Sequence, residues 1–212
     1  LHQAIPEAVP AEGASCMFDL PMRHAPEVAR EGGRRFAIEP VHNGGTGARP
    51  HSDGLSATAY PSGVFGSQVE ITESVAPVII WRRELRQDSG GPGQFRGGLG
   101  QSIELTSANG APFIVFLSVE RLKFPPLGRM GGLSGAPGRI CFRDNDQEIP
   151  GKGELRVTAK DYLIFETPGG GGFGPPADRN KDAMELDIRR ELVSSDRART
   201  DWWVVRTVGV TN

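Results

Sequence analysis

Glycine comes in clusters along this chain, and they constrain its fold more than any other feature. They fall at Gly44-Gly45-Thr46-Gly47, Gly90-Gly91-Pro92-Gly93, Arg96-Gly97-Gly98-Leu99-Gly100, Gly131-Gly132, Gly135-Ala136-Pro137-Gly138 and Gly169-Gly170-Gly171-Gly172-Phe173-Gly174. With 29 glycines and 17 prolines in 212 residues, the chain is expected to make many turns between short strands. The clusters recur without a fixed period, so no repeat architecture follows from them.

The first cluster is the richest in chemistry. Residues 43–54 combine four glycines with Arg49, His51, Asp53 and the hydroxyls of Thr46 and Ser52. Glycine lets backbone N–H groups approach a ligand closely, and successive amides can form an anion-binding concavity. In an extended segment Arg49, His51 and Asp53 alternate and would share one face. The stretch reads as a site or as a long surface turn.

Composition narrows the partners. Hydrophobic residues make up 37% and charged residues 24%, within the globular range. A formal charge of −2 and 7% aromatic residues argue against nucleic acid or an anionic membrane surface as partner. No apolar run is long enough to span a bilayer, and the N-terminus has no signal-peptide pattern. Cys16 and Cys141 are the only cysteines and have no CxxC spacing, so a reducing, cytoplasmic compartment is the expectation. The chain opens without a methionine on what reads as the middle of a helix, as a piece of a longer protein would.

Along the chain, the patterns predict a helix end before Pro10, a strand within 15–20, a loop over 21–34 and a strand over 36–41. A half-buried strand is expected within 64–75, where 68–73 alternate polar and apolar. Further strands are expected at 78–85, 101–106, 113–119, 139–143, 154–158 and 161–167. Asn109-Gly110 reads as a hairpin reversal between two of them. Residues 183–192 form a surface helix with an apolar stripe, Ser194 or Ser195 caps a further turn, and the Trp202-Trp203-Val204-Val205 tail needs a place to bury. The expected fold is α+β and mainly β, with short mixed strands, long glycine-rich loops and a C-terminal helix. Residues 1–174 are expected to form the β-rich region, with 175–212 as helix and tail packed on it.

Other motifs weigh less. The 169–174 run lacks the Lys-Ser/Thr of a phosphate loop and is followed by prolines, and Arg49-Pro50 interrupts any helix after Gly45-Thr46-Gly47. His42, His51 and Asp53 are candidate metal ligands without an established spacing. Cys16, Ser52 and Ser67 are candidate nucleophiles without an elbow motif. Asp53, Glu70 and Glu73 are candidates for acid–base work, while Arg96 and Arg121 either clamp a carboxylate or tie loops together.

Taken in order, these motifs resemble the C-terminal portion of the hydantoinase B/oxoprolinase family. The stretches that carry the resemblance begin with Gly44-Gly45-Thr46-Gly47-Ala48-Arg49-Pro50 and Asp53-Gly54-Leu55, then Val69-Glu70 with Glu73. Leu85-Arg86-Gln87-Asp88-Ser89-Gly90-Gly91-Pro92-Gly93-Gln94-Phe95-Arg96-Gly97-Gly98-Leu99-Gly100 follows. Arg121 with Phe124-Pro125-Pro126-Leu127-Gly128, Gly135-Ala136-Pro137-Gly138, Pro150-Gly151-Lys152 and Thr167-Pro168-Gly169-Gly170-Gly171-Gly172-Phe173-Gly174 complete it. Pro175 departs from it, standing where the family usually has Asp.

The resemblance implies an enzyme subunit that opens cyclic amides such as hydantoins, N-methylhydantoin or 5-oxoproline. The work is ATP-dependent, with ATP and Mg on a hydantoinase A-type partner. Related acetone carboxylase alpha subunits carboxylate ketones and carry a metal. Here a transition metal would be bound mainly by the N-terminal half, which this chain lacks and which counts as a second partner. Within this chain, the expected catalytic residues are Asp53 and His51. Gly44, Gly45, Gly47, Arg49 and Arg121 are expected to bind the substrate, and no metal ligand is assigned. The alternatives are a ketone carboxylase subunit or a non-catalytic assembly domain. The sequence leaves the substrate and the sheet order open.

Overall fold

Within residues 101–107, Gln-Ser-Ile-Glu-Leu-Thr-Ser, positions 102–106 alternate, with Ile103 and Leu105 facing one way and Ser102, Glu104 and Thr106 the other. In the computed structural model, which describes residues 5–14, 18–58, 64–145 and 148–203, this segment is a central strand buried on both faces. The described strands are β1 (Phe18–Asp19), β2 (Met22–His24), β3 (Ala37–Ile38), β4 (Val41–His42), β5 (Val78–Leu85), β6 (Gln101–Ser107), β7 (Phe113–Ser118), β8 (Arg139–Phe142), β9 (Lys152–Val157) and β10 (Leu163–Glu166). They form two four-stranded sheets, β5-β6-β10-β8 and β3-β2-β7-β9, and a β1-β4 ribbon. All of these strand pairings are antiparallel.

The two sheets share one core. Ile103 and Leu105 of β6 and Leu163 and Phe165 of β10 pack with Phe113, Val115 and Leu117 of β7 from the other sheet. Behind β6 the sheet is ionic. Glu104 pairs with Arg82 and Arg143, and Glu166 with Arg86 and Arg139, so arginine stems cover the strand's polar face. The fold is α+β and mainly β, as expected.

Between the sheet ends and the outer loops lies a second kind of interior, built from backbone. Gly45 N–H donates to Pro168 O at 2.9 Å, Gly98 N–H to Thr46 O at 2.9 Å, Gly170 N–H to Gly98 O at 2.9 Å and Gly91 N–H to Gly170 O at 2.8 Å. Four of the glycine clusters therefore meet in one lattice, although they lie far apart in sequence. Side chains are excluded by distance. A Cβ on Gly45 would lie 1.9 Å from Gly98 O, and one on Gly170 would lie 1.9 Å from Thr46 O. Neither residue has a positive φ, so the glycines serve close approach rather than a left-handed turn.

The C-terminal segment closes over this hub. Helix α3 (Lys181–Arg189) starts at Asn180, whose Oδ1 accepts from Ala183 N–H at 3.1 Å. Ser194 caps the single turn α4 (Ser195–Arg197) through Arg197 N–H. Trp202 buries its indole with Met184, Val193 and Ala198 and donates from Nε1 to Gly93 O at 3.0 Å.

Several expectations fail. The loop expected over 21–34 contains β2 and helix α1 (Pro26–Arg30). The strand expected over 36–41 is split by Pro40 into β3 and β4. The strand expected within 64–75 is helix α2 (Val69–Val75). Its inward positions, Val69, Thr72, Glu73 and Ala76, follow helical spacing, whereas Ile71 points to solvent. Asn109-Gly110 is no hairpin, because β6 pairs with β5 and β10 while β7 pairs with β2 and β9. The turn carries the chain from one sheet to the other, with Asn109 Oδ1 accepting from Ala111 N–H at 3.0 Å. Among the described residues before Pro10, a 3-10 turn, Pro6–Ala8, is formed in place of a helix. Cys16 and the 204–205 tail lie outside the described residues.

Candidate functional site

The stretch 43–54 leaves β4, crosses the hub and turns back at Arg49-Pro50-His51-Ser52. Arg49 N–H donates to Ser52 O at 2.9 Å, closing the turn. The segment is thus folded into a turn, one of the two readings of the stretch, and Arg49, His51 and Asp53 do not form the one-sided row that an extended segment would give. Arg49 and His51 are exposed at the tip. Arg49 also donates from Nη2 to Asp53 O at 3.0 Å.

Asp53 points the other way, into a network. Its two oxygens accept from Nη1 and Nη2 of Arg179 at 2.9 Å each, and Oδ1 accepts from Arg96 N–H at 2.7 Å. Arg179 also meets Asp187 Oδ2 at 2.5 Å, and Arg96 Nε reaches the same oxygen at 3.2 Å. Burial pushes the Asp53 carboxyl up, but Arg179 and Arg96 outweigh it and hold the carboxyl below its ordinary range. The Arg179 guanidinium is disfavoured by burial and more than restored by Asp53 and Asp187, which raise its pKa. Asp53 therefore stands as a fixed carboxylate with its oxygens occupied.

A cleft of about 340 Å³ opens beside this network, lined in part by Ser52, Asp53, Gln94, Phe95, Arg179 and Asn180. Phe95 is held there by a reciprocal backbone pair with Phe173, both bonds at 2.9 Å. One wall of the cleft thus comes from the glycine loop, a second from the 90–98 segment and a third from the start of α3.

The remaining candidates are dispersed. Gly44, Gly45 and Gly47 are buried in the hub, and the Gly45 amide is consumed by Pro168 O. Arg121 is left-handed at φ 58° and donates from Nη1 to Glu12 Oε2 at 2.8 Å. Burial raises the Glu12 carboxyl, and the Leu127 N–H and Arg121 outweigh that to keep it low. Arg96 ties loops together. Glu73 Oε1 accepts from Ile80 N–H at 2.7 Å, and Ser67 Oγ accepts from Val41 N–H at 2.9 Å. His42, His51 and Asp53 do not converge, and among the described residues no three His, Cys, Asp or Glu side chains gather as a metal site. Arg179 and Asp187 escaped the sequence reading because an Arg and an Asp near a helix start look like ordinary surface residues. The one hint was Asp187, a charge that shares the α3 face of Met184 and Ile188.

This architecture, two antiparallel sheets joined by a glycine lattice, has relatives. The Hydantoinase B/oxoprolinase family model matches residues 1–176. The beta subunit of caprolactamase from Pseudomonas jessenii is 32% identical over 97% of this chain and 37% of its own length. The 5-oxoprolinase of Dictyostelium discoideum is 34% identical over 68% of this chain and 11% of its own. Among solved structures, the ATP-dependent caprolactamase from Pseudomonas jessenii superposes with a TM-score of 0.74 at 28% identity, covering 95% of this chain and 36% of that one. The chain belongs to the hydantoinase B/oxoprolinase family. It spans about a third of the caprolactamase subunit's length. No described helix is long and apolar enough to cross a membrane.

Proposed function

We propose that this chain is part of a subunit that opens cyclic amides in an ATP-dependent complex with a hydantoinase A-type partner. The observation that carries the reading is the match along nearly the whole chain to a caprolactamase subunit, joined to the cleft beside the glycine turn. Hydantoins, 5-oxoproline and lactams share a ring C–N bond whose cleavage develops negative charge on the carbonyl oxygen. ATP and Mg, held by the partner, supply activation of that amide when bound. The contribution of this chain is placement. Arg49 at the turn's tip offers a guanidinium to the substrate, and His51 beside it is the exposed group that can take or give a proton. Asp53 orients the turn through Arg179 and Arg96, a positioning role. Arg121, anchored by Glu12, shapes the loop that flanks the hub. The glycines hold the turn rigid, and residues 175–203 act as a clasp on the β-rich body.

The test is turnover by the purified two-subunit complex, given hydantoin, 5-oxoproline or caprolactam in turn. Ring-opened acid formed only with ATP is the expected result. No turnover of any of the three would overturn the reading, and ATP-dependent carboxylation of acetone would replace it by ketone carboxylation. Arg49→Ala should raise KM with a smaller effect on kcat, and unchanged kinetics would remove Arg49 from the site.

A further inference from the structure

Away from the cleft, one buried polar cluster is left chemically open. His42 is 1% exposed, and neither of its ring nitrogens has a hydrogen-bond partner among the described residues. A neutral imidazole carries one N–H donor and one acceptor, and leaving both unpaired in the interior is costly. The Phe165 ring lies 6.2 Å away, centroid to centroid, and occupies one side. Burial and the nearby Arg83 charge push the His42 pKa down to about 3, so the ring is neutral at pH 7.

Arg83 is the second half of the cluster. Its Nε donates to Gln101 Oε1 at 2.9 Å and its Nη1 donates to Ser67 O. Burial lowers its pKa with no acid acting against that, and among the described residues no carboxylate pairs with it. A common frame holds the two side chains. Val41 N–H donates to Ser67 Oγ at 2.9 Å, Ser67 N–H returns to Val41 O at 3.1 Å, and Gln101 Nε2 donates to Asn43 O at 2.7 Å. The residues before and after His42 are thus each bonded to a partner of Arg83. At Gly66 a Cβ would lie 2.3 Å from Arg83 Nη2, so the loop lies directly against the guanidinium.

We propose that this cluster is a carboxylate-binding site, with the Arg83 guanidinium and the His42 N–H as its donors. A metal ion would sit beside an unneutralised guanidinium and is disfavoured, whereas a planar two-oxygen anion matches the guanidinium fork. Arg83 is half-buried, with Gly66 and Ser67 against its guanidinium, so the 64–67 loop borders the site. The carboxylate belongs either to a small free acid or to an Asp or Glu side chain of an assembly partner. This site is separate from the ring-opening reading and is read by binding, without turnover.

The test is a sodium acetate titration of this chain, with sodium chloride at equal ionic strength as control. It is followed by ¹⁵N NMR of the histidine rings, with His42→Phe used for assignment. A saturable shift of the His42 ring signals is expected, weakened about tenfold or more in Arg83→Gln and partly retained in Arg83→Lys. His42 signals that ignore acetate in the unmodified chain would overturn the proposal, whether or not the variants fold. A response unchanged in Arg83→Gln would also overturn it. Repeating the titration on the complex with the partner subunit distinguishes the sources. A retained response assigns a free acid, and a response lost on assembly assigns a side chain of the partner.

Discussion

At Phe165 strand β10 places a fully buried ring in the core between the two sheets, and four residues later, at Gly169, the same chain admits no side chain at all. A Cβ there would lie 1.8 Å from Ser89 O. The two regions are continuous in sequence but hold together differently. The sandwich core gains stability from apolar area and can redistribute volume among its side chains. The hub gains it from backbone hydrogen bonds at close approach and has nothing to redistribute, because its contacts are carbonyls and amides fixed by the chain itself. A fold that presents a cleft on the hub side thereby gives the cleft a floor that does not repack.

The comparison breaks first at the hub. Gly170→Ala should cost about 5 kcal/mol or more, which is the whole stability of many domains, so soluble folded protein should not be recovered. A cooperative melt for that variant near the unmodified one would show that the lattice yields. In the sandwich, Phe165→Ala should cost about 4 kcal/mol, whereas Phe165→Leu should cost about 1.5 kcal/mol or less because neighbours can fill the space. Equal losses for Leu and Ala would mean that this core is as rigid as the hub. Between the two lies the ion network. Asp187→Asn removes the carboxylate shared by Arg96 and Arg179 and should cost about 3 kcal/mol, by urea denaturation. A loss below about 1 kcal/mol would make it a surface-type pair.

His42, at the seam between the regions, gives the comparison a pH axis. Its folded pKa of about 3 lies below the ordinary histidine value of 6.5. Between those values the unfolded chain binds a proton that the folded chain refuses, so stability is highest above pH 6.5 and falls as pH drops toward 3. The slope should approach about 1.4 kcal/mol per pH unit. His42→Phe should flatten the profile in that window. Asp53 acts lower. Its depressed folded pKa gives a contribution that is present above its ordinary value of 3.8 and lost as pH falls below that.

The sandwich was more legible in the sequence than the hub. Alternation at 102–106 and the apolar run at 113–117 locate β6 and β7, the first because strand side chains repeat every two residues, the second because a short run apolar throughout suits a strand covered on both faces. Their pairing was not legible, since Asn109-Gly110 marks a reversal without saying which sheet receives the next strand. The glycine clusters were visible, but their mutual lattice was not. A glycine that meets a distant carbonyl looks, in sequence, like a glycine in a turn. For the same reason the 43–54 stretch suggested free amide donors, where Gly45 N–H is bonded to Pro168 O. Asp53 was singled out as a catalytic residue of the loop, but its partner Arg179, and Asp187 behind that, lie more than a hundred residues away and carry no local pattern.

That ambiguity between two uses of glycine supplies the smallest and sharpest contrast. Gly32 follows helix α1 with φ +77° and has nothing within 4 Å of an added Cβ. Gly33 N–H donates to Val28 O at 2.8 Å, the long bond of a left-handed helix stop. Here glycine is required by backbone conformation alone. Gly32→Ala should therefore cost about 1 kcal/mol, and Gly32→Asn less, because asparagine tolerates the left-handed region. At Gly170 the order should vanish, with Ala and Asn equally destructive, since any Cβ meets Thr46 O at 1.9 Å. Recovery of folded protein from the four variants, with melts of those that are recovered, separates a conformational glycine from a steric one. Should Gly170→Asn outlast Gly170→Ala, the hub would be a set of turns rather than a lattice of backbone contacts.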